Sequence, residues 1–108
     1  MTVTKADIVN LVADSTGLTK SDVEAVLSGF LYNIIDAIQN GDRVEIRGFG
    51  SFFAKEREER LVKNPRTNKV VSVDHRFVPV FRPAKYFKKS VNQNMLDKQQ
   101  KEEHDQAL

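Results

Sequence analysis

A segment rich in lysine and arginine, from residue 55 to residue 89, offers the clearest chemistry in the sequence. It carries eleven cationic side chains against four acidic ones, a net charge of +7, whereas the whole chain of 108 residues carries +2. At its middle lies Asn64-Pro65-Arg66-Thr67-Asn68. Pro65 fixes φ, and Asn68 tolerates the left-handed backbone that a tight turn needs. A long cationic hairpin with a rigid apolar tip can grip a polyanion and wedge into it.

Few residues are arranged for catalysis or metal binding. The chain has no cysteine, which removes thiolate nucleophiles, thiolate metal sites and disulfides. His75 lies in a strand-like run and His104 in a polar tail, and neither has a partner at catalytic or metal-ligand spacing. Gly48-Phe49-Gly50 lacks the lysine of a phosphate-binding loop and predicts a turn. We therefore predict a protein that is not an enzyme and has no cofactor, metal ion or small-molecule substrate.

The length of the chain, 108 residues, predicts one small domain with a modest core that oligomerisation would supplement. No apolar run reaches the ~18 residues of a membrane span, and no secretory signal is visible. These features predict a cytoplasmic protein without a membrane partner. Residues 1–54 carry −3 and residues 90–108 carry −2, so positive charge is concentrated between them, as in a nucleic-acid footprint.

Two helices are predicted before the basic segment. Thr4 and Thr19 are capping residues, each followed three residues later by an aspartate, and Gly17 and Asn40-Gly41 supply the helix ends. The second helix has an unbroken apolar stripe: Val23, Val26, Leu27, Phe30, Leu31, Ile34, Ile35 and Ile38. A DNA-recognition helix needs donors on its exposed face, but residues 21–42 contain no lysine or arginine. The second helix is therefore predicted to be a core and dimerisation helix.

Strand-like sequence follows. Arg43–Arg47 alternates polar and apolar residues, a strand begins at Ser51 and becomes charged toward Lys63, and apolar runs return at 70–73 and 77–81. The charged half of the hairpin is expected to project into solvent. Pro83 is predicted in the first turn of a third helix. From Met95 onward the chain is polar, which predicts a frayed helix or a disordered tail.

The element order and several motifs resemble the bacterial histone-like HU and integration host factor family over residues 1 to about 95. The motifs are Gly48-Phe49-Gly50-Ser51-Phe52, Arg57, Arg60, Asn64-Pro65-Arg66-Thr67 and Arg82-Pro83-Ala84-Lys85. The resemblance implies an α+β fold: an intertwined homodimer with an α-helical body, a three-stranded antiparallel sheet saddle, protruding β-ribbon arms and a C-terminal helix. Residues 1–95 would form the DNA-binding domain and residues 96–108 a polar acidic tail. A heterodimer with a paralogue stays open.

The same resemblance assigns roles to residues. Pro65 would be the wedge that intercalates into a base step, as in the minor-groove binders of this group. The residues predicted to contact DNA are Arg47, Lys55, Arg57, Arg60, Lys63, Asn64, Pro65, Arg66, Thr67, Asn68, Lys69, Arg76, Arg82, Lys85 and Lys88. The residues predicted to fill the dimer core are Phe30, Leu31, Ile34, Phe49, Phe52 and Phe81. The chain departs from the family pattern at Val62, at Ala84 and at Glu58-Glu59.

The function implied is an architectural protein of the bacterial nucleoid that binds double-stranded DNA through the minor groove. It would bend or compact that DNA with little sequence preference. One alternative is a sequence preference like that of integration host factor, through Glu45 and Arg47. An alternative from another class is a protein–protein assembly module whose charged hairpins bind acidic partners. RNA binding is less favoured because no aromatic stacking platform is apparent.

Overall fold

The computed structural model describes residues 1–107, so Leu108, the last residue of the predicted tail, lies outside the described residues. The helices and strands of the described chain are α1 (Lys5–Thr16), α2 (Lys20–Gln39), β1 (Val44–Ile46), β2 (Gly50–Arg57), β3 (Arg60–Lys63), β4 (Val70–Val73), β5 (Arg76–Pro83) and α3 (Lys85–Ala107). Strands β1, β2 and β5 form an antiparallel sheet in the order β1-β2-β5, and β3 pairs with β4 in a separate two-stranded ribbon. The α+β class and the three-stranded sheet are thereby confirmed.

The predicted limits of the first two helices hold. Thr4 Oγ1 accepts a hydrogen bond from the backbone N–H of Asp7, and the Asp7 carboxylate accepts one from the Thr4 N–H at 2.9 Å. Hydrogen bonding of the Asp7 carboxylate by Thr4, first by its backbone N–H and second by its side chain, lowers the pKa of Asp7 below its ordinary value. Thr19 caps α2 in the same way, accepting from the Asp22 N–H at 3.1 Å. Gly17 ends α1 with a left-handed φ of 76°, which glycine adopts without steric cost.

The apolar stripe of α2 is only half covered within one chain. Val23 packs with Val9 and Ala13 of α1 in a small core, and Ile34 is buried. Val26 is 71% exposed and Ile35 is 55% exposed. No side chain among those whose burial is described, residues 1–106, falls below 2% exposure. A chain with so little interior requires further apolar cover to be stable.

The dimensions of the chain also indicate that it lacks a compact core of its own. Its radius of gyration is 20.1 Å, whereas a compact domain of this length has about 13 Å. The extents are 50 × 47 × 27 Å. A projecting ribbon and a long terminal helix account for this open shape.

The ribbon of β3 and β4 is joined to the sheet through a break in both strands. The β2–β5 ladder ends at the pair Arg57↔Arg76, and the β3–β4 ladder begins at Arg60↔Val73. Two residues on each side, 58–59 and 74–75, lie outside the strands. The sequence predicted one strand from Ser51 to Lys63, whereas the structure has two strands, β2 and β3, separated by residues 58–59. We call residues 60–73 the arm and residues 58–59 with 74–75 the hinge.

The third helix begins later than predicted. Pro83 is the last residue of β5, where it pairs with Gly50, so its assignment to the first helical turn was wrong. Proline has no backbone N–H, and an edge strand such as β5 tolerates this because one of its sides has no neighbouring strand to bond. The Ala84 N–H donates to the Phe49 carbonyl at 2.8 Å, and α3 starts at Lys85. The helix continues without interruption through 96–107, where a frayed helix or disorder was predicted. Within residues 1–107, no helix is long and apolar enough to span a membrane.

Candidate nucleic-acid interface

The register of β2 and β5 collects the cationic side chains on one face of the sheet. Cross-strand partners share a face, and faces alternate along each strand. The pairs Lys55↔Val78 and Arg57↔Arg76 therefore lie on the same face as Ser51↔Arg82. We call Lys55, Arg57, Arg76 and Arg82 the basic face. The opposite face carries Gly50↔Pro83, Phe52↔Phe81 and Ala54↔Pro79, which are core residue types.

Two arginines stand directly opposite each other at the end of this face. Arg57 and Arg76 form the last pair of the β2–β5 ladder, beside the hinge. Like charges directly opposite in a sheet destabilise it. Within residues 1–107 the ion pairs are Arg43–Glu45 and Glu56–His75, so no carboxylate neutralises this arginine pair. An uncompensated cationic pair is suited to a polyanionic ligand.

At the other end of the basic face, two arginines pack over the aromatic ring of Phe53. The guanidinium carbon of Arg82 lies 5.4 Å from the centroid of the Phe53 ring, and that of Arg43 lies 5.0 Å from it. Such cation–π contacts orient a guanidinium while leaving its donors free. Arg82 also lines a shallow cleft with Arg47 and Glu45. Two predicted DNA contacts, Arg47 and Arg82, are therefore brought together.

The start of α3 adds a second cationic element beside this cleft. Ala84 lines the cleft, and Lys85 and Lys88 are exposed on the first turn of the helix. The N-terminus of a helix presents free N–H groups and the positive end of the helix dipole. Lysines at that end make the position suitable for a phosphate.

The tip of the arm is a tightly hydrogen-bonded turn. Asn64 donates its N–H to Lys69 O at 2.9 Å, and the Asn68 N–H donates to Asn64 O at 2.8 Å. The side chain of Asn64 accepts from the Arg66 N–H at 2.9 Å. Asn68 has φ 58°, which confirms the predicted left-handed backbone. These bonds fix the turn that carries the exposed Pro65 at its tip.

The arm strands are more apolar than a merely solvated hairpin requires. Leu61 is 75% exposed and Val70 is 62% exposed. The register places Leu61 and Val70 on one face with Lys63, and Val62 and Val71 on the other with Arg60. Each face thus combines one cation with apolar groups. Minor-groove binders use this combination, with cations for phosphates and apolar side chains for base steps.

Comparison of the sequence with known proteins identifies the family of this chain. The sequence model of the family described as bacterial DNA-binding protein matches residues 3–92, most of the chain. The chain belongs to this family. Among its relatives, DNA-binding protein HU of Clostridium pasteurianum is 38% identical over 88 residues, which cover 82% of this chain and 97% of the relative. DNA-binding protein HU of a Nostoc species is 39% identical over 87 residues, covering 81% and 93%. The resemblance to HU is confirmed.

Solved structures of the family share the fold. An Anabaena HU–DNA cocrystal structure aligns with a TM-score of 0.75 at 39% identity, covering 82% of this chain and 96% of that one. HU from Thermotoga maritima aligns with a TM-score of 0.58 at 30% identity, covering 82% and 97%. Residues beyond 92 lie outside the family match, so the end of α3 is an addition to the HU pattern.

An aromatic cluster lies on the apolar side of the HU-like sheet. The Phe52 and Phe81 ring centroids are 4.7 Å apart, and Phe49 lies 5.2 Å from Phe81. Phe87 of α3 joins them at 5.3 Å from Phe49, although it was absent from the predicted dimer core. In the sequence, Phe87 lies with Tyr86 and Val91 on the side of the third helix away from the lysines, and this apolar side was the signal for the contact. The predicted core residue Ile34 is buried, whereas Phe30 and Leu31 remain exposed in one chain.

Proposed function

We propose that this protein binds double-stranded DNA as an architectural, non-enzymatic protein that bends or compacts the duplex. One observation carries this proposal: the sheet register gathers Lys55, Arg57, Arg76 and Arg82 on a single face that leads to the arm. Phosphate contacts made by such a face provide affinity for any sequence. The arm, with apolar side chains on both faces and Pro65 at its tip, enters the minor groove.

Roles for individual residues follow from their positions. Arg47, Arg82, Lys85 and Lys88 surround the cleft and the helix start, so they hold flanking phosphates. Pro65 is the wedge at a base step, where unstacking costs about a few kcal/mol and contacts along the bent flanks offset it. The remaining contacts line the basic face and the arm: Lys55, Arg57, Arg60, Lys63, Asn64, Arg66, Thr67, Asn68, Lys69 and Arg76.

The protein acts as a homodimer. The exposed half of the α2 stripe and the partly exposed phenylalanine cluster are the surfaces that a second copy covers. At ~25 cal/mol per Å² of apolar burial, covering them contributes several kcal/mol. Two copies also present two arms and two basic faces, which doubles the number of phosphate contacts.

Sequence preference is expected to be weak. The carboxylate of Glu45 accepts from Arg43 at 3.2 Å, so this side chain is engaged within the protein. Arg47 then serves as a phosphate contact, and affinity depends on DNA deformability. The binding unit is residues 1–95, the tail 96–108 is dispensable for DNA contact, and the protein resides in the bacterial nucleoid.

A salt titration against random-sequence duplex DNA tests the proposal. The logarithm of the association constant should fall steeply with the logarithm of salt concentration, as expected for roughly 6–10 phosphate contacts. No binding at low salt, or a flat response, would instead support an assembly module for acidic proteins. Selection from a randomised duplex pool should yield no sharp consensus.

A further inference from the structure

The hinge carries a compact group of potential metal ligands. Glu56 is in β2, Glu58 follows the end of that strand, and His75 lies on the opposite side of the hinge. One donor atom from each side chain lies within 4.8 Å of the others, and all three residues are exposed. His75 Nε2 is 2.7 Å from Glu56 Oε1. The sequence did not predict this group because His75 lies 17 residues from Glu58 and 19 residues from Glu56.

The group lies away from the basic face. Glu56 pairs with Phe77, on the same face as Phe52 and Phe81 and opposite to Arg57 and Arg76. A ligand held there would not compete with phosphates on the basic face. It would join the two chain segments where the strands are interrupted.

The two carboxylates are not neutralised by the abundant cations nearby. Within residues 1–107 no lysine or arginine forms an ion pair with Glu56 or Glu58, although eleven cations lie between residues 55 and 89. Among the described residues, the polar partner of Glu56 is His75 Nε2, and a single imidazole carries at most one charge against two carboxylates. Carboxylates that share a site repel each other. A divalent cation removes this repulsion.

We propose that Glu56, Glu58 and His75 form a binding site for a divalent transition-metal ion of the zinc class. Imidazole nitrogen and carboxylate oxygen bind Zn²⁺ at about 2.0–2.2 Å, and donors that lie within 4.8 Å of one another on exposed side chains can converge on one ion by side-chain rotation. Three protein ligands leave at least one position for water. The imidazole favours zinc-class ions over Mg²⁺, which prefers oxygen ligands. The bound ion bridges both sides of the hinge and stiffens the arm against the sheet.

Titration calorimetry with ZnCl₂ tests this site directly, using the full-length, tag-free protein without DNA after treatment with a chelator. The expected result is one zinc ion per chain, with no displacement by excess Mg²⁺. His75→Gln and Glu58→Gln should each weaken binding by at least about tenfold. His104→Gln is the matched control, because it removes the other histidine and should leave affinity unchanged.

The imidazole NMR signals of His75 should shift with zinc while those of His104 stay in place. The proposal is overturned if His75→Gln binds zinc as tightly as wild type, or if wild type binds it more weakly than about 1 mM. All three substitutions are on the surface, and unchanged thermal melting would show that they fold. Since no DNA is present, the outcome is independent of the proposed function.

Discussion

The pair Arg57↔Arg76 predicts that one substitution will have opposite effects on stability and on DNA binding. Arg57→Gln keeps a long polar side chain but removes one of two like charges that stand directly opposite. Such pairs change stability by roughly 0.2–1 kcal/mol. The free energy of unfolding should therefore stay the same or rise within that range.

Arg57→Gln should weaken DNA binding. Each phosphate contact contributes about 0.9 to the slope of log affinity against log salt, and a dimer loses two such contacts. The slope should fall in magnitude by about 1.8. Between 50 and 200 mM salt, the affinity of the wild type should then decrease about tenfold more than that of the variant.

Fluorescence anisotropy with a labelled random duplex, at several salt concentrations, measures the slope. Urea unfolding of the free proteins measures stability. Lys101→Gln is the matched control, because it removes the same charge from the exposed end of α3, outside residues 3–92. An unchanged slope for Arg57→Gln, or an equal loss for Lys101→Gln, would refute the assignment of Arg57 to the DNA interface. A large loss of stability would show that Arg57 has a structural role instead.

Four further substitutions test the dimer, the sheet and the first helix. Phe30→Asp places a charge on the exposed half of the α2 stripe and should convert dimers to monomers in sedimentation; a stable dimer would contradict the assigned interface. Gly50→Ala should lower stability by about 1–3 kcal/mol in thermal melting, because a Cβ there would lie 2.5 Å from Arg82 O; unchanged melting would show that the strands can separate. Thr4→Ala should cost about 1 kcal/mol in urea unfolding. Because the pKa of Asp7 is lowered in the folded protein, its ionised carboxylate stabilises α1 at pH values above the pKa that Asp7 has in the unfolded chain. This stabilisation is lost as the pH falls through the pKa of Asp7 in the folded protein. Asp7→Asn should remove this dependence of stability on acid.

Local signals in the sequence were sufficient for the first two helices and the turn. Thr4, Thr19 and Gly17 define helix ends through bonds to nearby backbone, and Asn68 adopts the conformation that its residue type allows. The resemblance to HU implied the three-stranded antiparallel sheet. The helix caps and the turn depend only on neighbours within a few residues.

Features that depend on pairing between distant strands were less accessible. The single basic face follows from the register Arg57↔Arg76, and a shift of one residue would have placed one arginine on each side. The hinge interrupts both strands at once, so neither strand alone reveals it. Pro83 has residue chemistry suited to a helix start, but its pairing with Gly50 places it in β5. The DNA contacts, the domain limit at residue 95 and the dimer core stay predictions.

Energy transfer between dyes at the two ends of a short duplex tests the central claim most directly. Wild-type protein should raise the transfer efficiency on binding, because bending brings the ends closer. Pro65→Ala should keep much of the phosphate affinity but reduce the rise, since the wedge at the base step is lost. The wedge mechanism is contradicted if the wild type binds without bringing the ends closer, or if Pro65→Ala bends the duplex as well as the wild type does.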